Sequence, residues 1–295
     1  MIRLTSQISA LLAVSGLGAS LMALEIEPQT GGLVFGNDAA KTQSLSWHGG
    51  LANRQLDQGW ERSEDAVFEN GTTLRWYGLG FTLDGAFAVG QDRGALQLTD
   101  NNPTTYKSRS VKPGELLQVN AKLDYIIQVD GVYAAGAPFL QFIPHFEYVT
   151  YPNQSGNVLK DNQLWAGADI WWSTPLEGVE LGTSHEWNLE DPAYRGAIAV
   201  RELQQFAPYD LVIWQAINFG SQTYHHYFVP VDKTGLTTGE LGIKVRTPMA
   251  WREWWTYAGA DWSYWLNSDD RDARKALGRD AGDFTFSVGV EWRAE

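Results

Sequence analysis

Charged residues stand at alternate positions in several otherwise apolar segments of this 295-residue chain, and that spacing limits what they can do. Asp84, Lys122, Asp124, Glu147, Asp169, Glu180, Glu186, Glu240, Lys244, Arg246, Asp261, Glu291 and Arg293 lie mostly between apolar or small neighbours. In a strand, successive side chains point to opposite faces. A sheet built from these segments therefore has one ionisable face and one apolar face. Carboxylates outnumber basic groups in the set, and an array of carboxylates around a passage favours cations over anions. A second reading stays open: opposite charges pair and fill the space they face, because ionisable groups withdrawn from bulk water need partners.

Covalent chemistry has less support. Nucleophilic catalysis needs a histidine within hydrogen-bond reach of the hydroxyl and a third group to orient it. Ser184 and His185 are adjacent, which on a strand places them on opposite faces; His145 and Glu147 share a face with no serine at strand spacing beside them. His225-His226, between Tyr224 and Tyr227, lacks the cysteine or carboxylate company of a metal site. No catalytic residue, metal or cofactor is expected. The segment from Ser268 to Asp280 is dense in both charge signs, and Ala273, Ala276 and Leu277 suit a short helix that either folds inward as a constriction or stays in solvent.

The elements that must position these charges are strands. From Glu115 to Asp130 the chain puts Leu117, Val119, Ala121, Leu123, Tyr125, Ile127 and Val129 on one face and Gln118, Asn120, Lys122, Asp124, Gln128 and Asp130 on the other; only Ile126 breaks the pattern. A tilted strand needs about 9–11 residues to cross a bilayer, and this segment exceeds that. The same period-2 test predicts twelve strands, near 43–53, 71–78, 80–90, 115–130, 138–151, 163–174, 178–189, 194–204, 209–219, 236–247, 254–266 and 283–293. Connections after even-numbered strands are mostly short and Gly- or Pro-marked; most after odd-numbered strands are long, and only Glu190–Ala193 departs from the rule. The predicted fold is all-β: a single transmembrane antiparallel barrel over residues 42–295, with short turns at one rim and long loops at the other.

Residues 1–23 read as a signal peptide, with Arg3 ahead of an apolar run from Ile8 to Ala23. Residues 24–41 remain as an N-terminal periplasmic segment, with an extra strand at Leu33–Phe35 as one alternative. With 22 Lys and Arg against 35 Asp and Glu, the formal net charge of −13 disfavours nucleic acid as a partner. Trp47, Trp76, Trp172, Trp187, Trp254, Trp255, Trp262, Trp265 and Trp292 gather near strand ends and predict a girdle at the headgroup layers. Trp165 and Trp171 take the polar-face parity and are assigned to packing near the two rims.

The stretch Ala52-Asn53-Arg54, Gly59, Val67-Phe68-Glu69, Leu74, Trp76 and Gly78-Leu79-Gly80 resembles Gram-negative outer-membrane β-barrels and, more loosely, TorF-type porins, over roughly the first third of the mature chain. Arg54 is followed by Gln55, where those chains carry glycine. The last strand, Phe284 to Arg293, resembles the signal read by the β-barrel assembly machinery, although Arg293, Ala294 and Glu295 follow Trp292. The resemblance implies outer-membrane lipid and small hydrophilic solutes as partners, passive diffusion as the activity, and the outer membrane of a Gram-negative bacterium as the location. The alternatives are a sealed barrel that presents loops at the cell surface and an outer-membrane hydrolase.

Overall fold

A computed structural model describes the chain from Gln43 to Ala294, apart from residues 54, 58–59, 64–65, 90–95, 99–105, 109–111, 131–138, 152–161, 175, 177, 228–230, 252 and 277–279. The predicted signal peptide and the 24–41 segment lie outside the described residues.

Twelve strands form the barrel: β1 (Gln43–Ala52), β2 (Val67–Trp76), β3 (Leu79–Ala88), β4 (Leu116–Tyr125 continued by Ile127–Asp130), β5 (Phe139–Thr150), β6 (Asn162–Ser173), β7 (Val179–Asn188), β8 (Tyr194–Phe206), β9 (Tyr209–Gly220), β10 (Gly235–Pro248), β11 (Trp254–Trp265) and β12 (Gly282–Ala294). Each pairs antiparallel with its sequence neighbours, and β12 closes on β1 through a register from Leu45↔Ala294 to Ala52↔Ser287. Closure removes both sheet edges, so every strand has a ladder on each side.

The ladders follow from the sequence. Val, Ile, Leu and aromatic side chains at alternate positions suit a surface that is apolar on one side only. Outward residues such as Leu74, Phe81, Leu123, Phe286 and Val288 are about half-exposed, whereas inward polar residues such as Lys122, Glu180 and Glu291 are buried. An apolar exterior around a polar interior is the inverse of a water-soluble barrel. It is the architecture of outer-membrane β-barrels.

Two local expectations need correcting. β2 begins at Val67, not near 71, because Val67 and Phe68 pair with Ala52 and Leu51 of β1. Ile126 interrupts the ladder of β4 but not its parity: it is buried on the inward side, and its amide donates to the Gly78 carbonyl at 2.8 Å.

The rims differ. At one, β2 and β3 are joined through Tyr77-Gly78, β8 and β9 through the cis Ala207-Pro208 pair, and β10 and β11 through Met249–Glu253. At the other, short hairpins (Gln55–Asp57 with Trp60–Ser63, Leu96–Leu98 with Tyr106–Ser108) and two helices, α1 (Gln222–His226) and α2 (Ser268–Ala276), occupy the connections. The connection between β7 and β8 stays short there, because Asn188 Oδ1 accepts from the amides of Glu190 and Asp191 at 2.9 and 3.0 Å.

Candidate functional site: the lumen and its mouth

All thirteen charges singled out above stand on inward parity, and most of them meet an opposite charge. Near the short-turn rim, Arg75 of β2 donates to Asp124 of β4 through both terminal nitrogens, at 2.8 and 3.2 Å. The pair spans β3 at Gly80, where a Cβ would lie 2.6 Å from either Asp124 oxygen. Further round the wall, Arg246 of β10 reaches Asp210 of the neighbouring β9 at 2.7 Å and, past β11, Glu291 of β12 at 3.4 Å; Lys244 reaches Glu291 at 2.8 Å and lies 4.0 Å from the centre of the Tyr257 ring.

The wall made by β5 to β9 is packed more densely. Arg195 donates to Glu186 at 2.6 and 3.0 Å and to Glu147, and its guanidinium lies 4.2 Å from the centre of the Trp165 ring. His145 meets Glu186 at 2.9 Å and Asp169 at 3.5 Å, and Lys122 approaches Asp169 at 3.7 Å. Lower on the wall Arg201 donates to Glu180 at 2.6 Å and stacks 3.9 Å from the centre of Trp171. Trp171, Ala197, Ala199, Val212, Trp214 and Ala216 then form an apolar cluster inside the lumen. Gly242 makes this packing feasible, since a Cβ there would lie 2.0 Å from the Trp214 ring.

The wall from β10 through β12 to β4 is different at mid-height. Glu69, Asp84, Asn120, Glu240, Asp261 and Ser287 face inward yet are partly accessible to water. Four of the six are carboxylates, and Glu240 accepts from the Asn218 side chain at 3.1 Å. Arg293, also inward, is partly accessible near the end of β12.

The mouth at the rim opposite the short turns is crossed by a bridge of side chains. Val149 of β5 and Tyr151 just after it, Trp165 of β6, Tyr224, Tyr227 and Val231 of the β9–β10 connection and Trp265 of β11 make one buried cluster, with Ala273 of α2 packed on it. In a closed twelve-strand barrel β5 and β6 lie opposite β11 and β12, so this cluster spans the lumen. Trp165 meets the Tyr224 and Tyr227 rings edge-on at 6.0 and 6.5 Å. His225 and Asp270, both fully buried, join α1 to α2 at 3.2 Å, and Arg274 links α2 to Asp283 of β12 at 3.0 Å. Ser221 caps α1 by accepting from the Tyr224 amide. Burial, then the Asp191 carboxylate it donates to, push the Tyr227 phenol above its usual range, so it stays a neutral donor. Asp232, fully exposed, is held below the usual range, first by a hydrogen bond from the Gln222 side chain and then by His226.

Several expectations change here. Trp265 is fully buried in the mouth cluster, 4.8 Å from the Arg274 guanidinium, and Trp255 faces inward, 5.4 Å from that of Arg246; neither belongs to an outer girdle. Trp165 and Trp171 are lumen platforms for Arg195 and Arg201, not rim packing. Trp47, Trp76, Trp172, Trp254 and Trp292 remain outward near the short-turn rim, with Trp47 against Trp254 at 6.1 Å, and Trp187 and Trp262 remain outward near the other rim. The helix in the 268–280 segment exists and turns two buried charges inward. Arg75, Arg195, Arg201, Asp210 and Glu69 were absent from the sequence list, although Arg195 and Arg201 share parity with Ala197 and Ala199 on one strand.

No protein-family model and no curated protein matches the chain. Among solved structures, a NanC porin superposes with a TM-score of 0.48 at 12% identity, covering 84% of this chain and 98% of that one. A KdgM porin gives 0.45 at 9% identity with the same coverages. OmpF of Salmonella typhi gives 0.35 at 8% identity over 85% of this chain and 97% of that one.

Proposed function

We propose that this protein is a channel of the Gram-negative outer membrane for passive diffusion of small hydrophilic solutes, with a weak preference for cations or neutral solutes, held here with its mouth closed. The observation that carries this reading is a set of inward carboxylates that stay partly accessible to water inside a barrel whose exterior is apolar. A wall built only for stability gains nothing from leaving Glu69, Asp84, Glu240 and Asp261 accessible, whereas a permeation path needs such a surface. No covalent step is required, and β5 to β9 act as a rigid support against which the path runs.

A second reading has its own support. The paired charges near the short-turn rim and the side-chain bridge at the mouth favour a sealed barrel that presents its loops. Single-channel recording in a planar bilayer under a salt gradient separates the two. Discrete steps with a reversal potential on the cation side support the channel. Silence from protein whose folding is verified by heat-modifiable gel migration overturns it.

A further inference from the structure

The packed half of the lumen holds one titratable side chain whose charge the strand pattern leaves open. His145 of β5 is buried in the wall between β4 and β7. Its Nε2 lies 2.9 Å from Glu186 Oε1 of β7, and the contact passes over Gly167 of β6, where a Cβ would lie 2.6 Å from Glu186 Cγ. Its Nδ1 lies 3.3 Å from the Ile143 carbonyl oxygen and 3.5 Å from Asp169 Oδ2. The oxygens that face the two ring nitrogens are all acceptors. A neutral imidazole has one N–H and turns its other lone pair on an oxygen. Flipping the ring, the other way to place these atoms, aims C–H groups at Glu186 and Asp169 and loses both contacts. Glu186 also accepts from Arg195 at 2.6 and 3.0 Å, and Lys122 lies 3.7 Å from Asp169. Both carboxyls already serve cations, so the second proton belongs to the ring.

The charges that face His145 from each neighbouring strand give the same answer. β4 brings Lys122 and Asp124, β5 itself Glu147, β6 Asp169, β7 Glu186 and β8 Arg195. Asp124 is matched by Arg75 of β2, and lower on the wall Glu180 is matched by Arg201. Lys122 and Arg195 then stand against Glu147, Asp169 and Glu186, all of them buried. Among the described residues the acids of this wall exceed the bases by one while His145 is neutral, and balance them once it is protonated. An uncompensated charge in a packed interior is costly.

We infer that His145 is held as an imidazolium, and that its proton is a switch on the filled wall. Present, it ties β5 to Asp169 and Glu186. Lost in alkaline medium, it leaves an excess carboxylate charge among packed side chains and loosens β5 to β8. The tie exists while the ring is protonated and disappears as pH rises through its titration.

The chain has five histidines. With isotopically labelled imidazole nitrogens in lipid nanodiscs, NMR is expected to show the His145 ring protonated at both nitrogens at about pH 8, where a free imidazole is almost wholly neutral. The signal is assigned by its loss in His145→Gln or, should that variant not fold, by its survival in His48→Gln, His185→Gln, His225→Gln and His226→Gln. Glu186→Gln removes one acid and balances the wall with a neutral ring, so there the same signal should become that of a single tautomer. The thermal midpoint of the wild type, read by heat-modifiable migration, should fall as pH rises through the alkaline range; His145→Gln should start lower and fall less. A neutral His145 at about pH 8 overturns the inference, as does a doubly protonated ring in Glu186→Gln or an equal fall in wild type and His145→Gln. None of these readings depends on conductance, so the switch and the channel reading fail separately.

Discussion

The two halves of the lumen wall use the same strand pattern to opposite ends. On β5 to β9 the inward side chains are consumed by one another: Arg195 holds Glu147 and Glu186, Arg201 lies on Trp171, and Trp214 lies over Gly242. On β10 to β12 and β1 to β4 the inward side chains at mid-height are shorter or less crowded, and Glu69, Asp84, Glu240 and Asp261 keep contact with water. Alternation alone therefore does not make a pore. On β5 to β9 the rings of Trp165, Trp171 and Trp214 stand between the charges at mid-height, whereas on the other half the rings of Trp255 and Trp265 stand nearer the strand ends.

If the contrast is real, substitutions in the two halves should act on different observables. Arg195→Ala has the largest expected effect. It leaves two buried carboxylates without their shared counter-charge and strips the stack from Trp165, and breaking a buried pair on one side costs about 3–5 kcal/mol. Urea unfolding in lipid should show it; an unchanged midpoint would mean that the packed half is not packed.

Gly242→Val comes next. Its side chain meets the Trp214 ring and the Asp261 carboxylate, and overpacking of this kind costs roughly 1–3 kcal/mol. The same unfolding measurement reads it, and Gly259→Ala on the neighbouring strand, where the nearest atom is 2.9 Å away and belongs to the Ser287 hydroxyl, should be milder.

The latch across the mouth is smaller in energy and larger in function. His225→Leu removes the hydrogen bond to Asp270, worth about 1–3 kcal/mol for a buried polar group left short of a partner, and should raise the fraction of time the channel conducts. Equal open probability in the variant would show that α1 and α2 do not govern access.

The smallest expected change in stability belongs to the accessible carboxylates. Asp84→Asn with Asp261→Asn should alter unfolding by no more than about 0.5 kcal/mol, as is usual for substitutions at water-accessible positions, while moving the reversal potential toward zero. A large loss of stability with unchanged selectivity would reverse the roles assigned to the two halves.

Much of the barrel was legible before any coordinates. Twelve strands and two faces follow from a period of two, because alternation is a property of neighbours along the chain. Ile126 was readable as a local defect, and its backbone bond to Gly78 shows why parity survives it. β8 and β9 were the opaque part: Gly196, Ala197 and Ala199 blur the contrast between faces, and Trp214 places an apolar ring on the polar side. Trp265 and Trp255 misled for a related reason. A tryptophan near a strand end satisfies its ring equally well in a headgroup layer or under an arginine, and the sequence does not state which.

By itself, then, the sequence determined which side of most strands meets lipid, β8 and β9 excepted, since that depends on local alternation and on the cost of a charge in hydrocarbon. Only the tertiary structure decided which charges pair, which wall fills and what crosses the mouth. Those outcomes depend on register summed around twelve ladders and on contacts such as His225 with Asp270, 45 residues apart, that exist only once the barrel has closed.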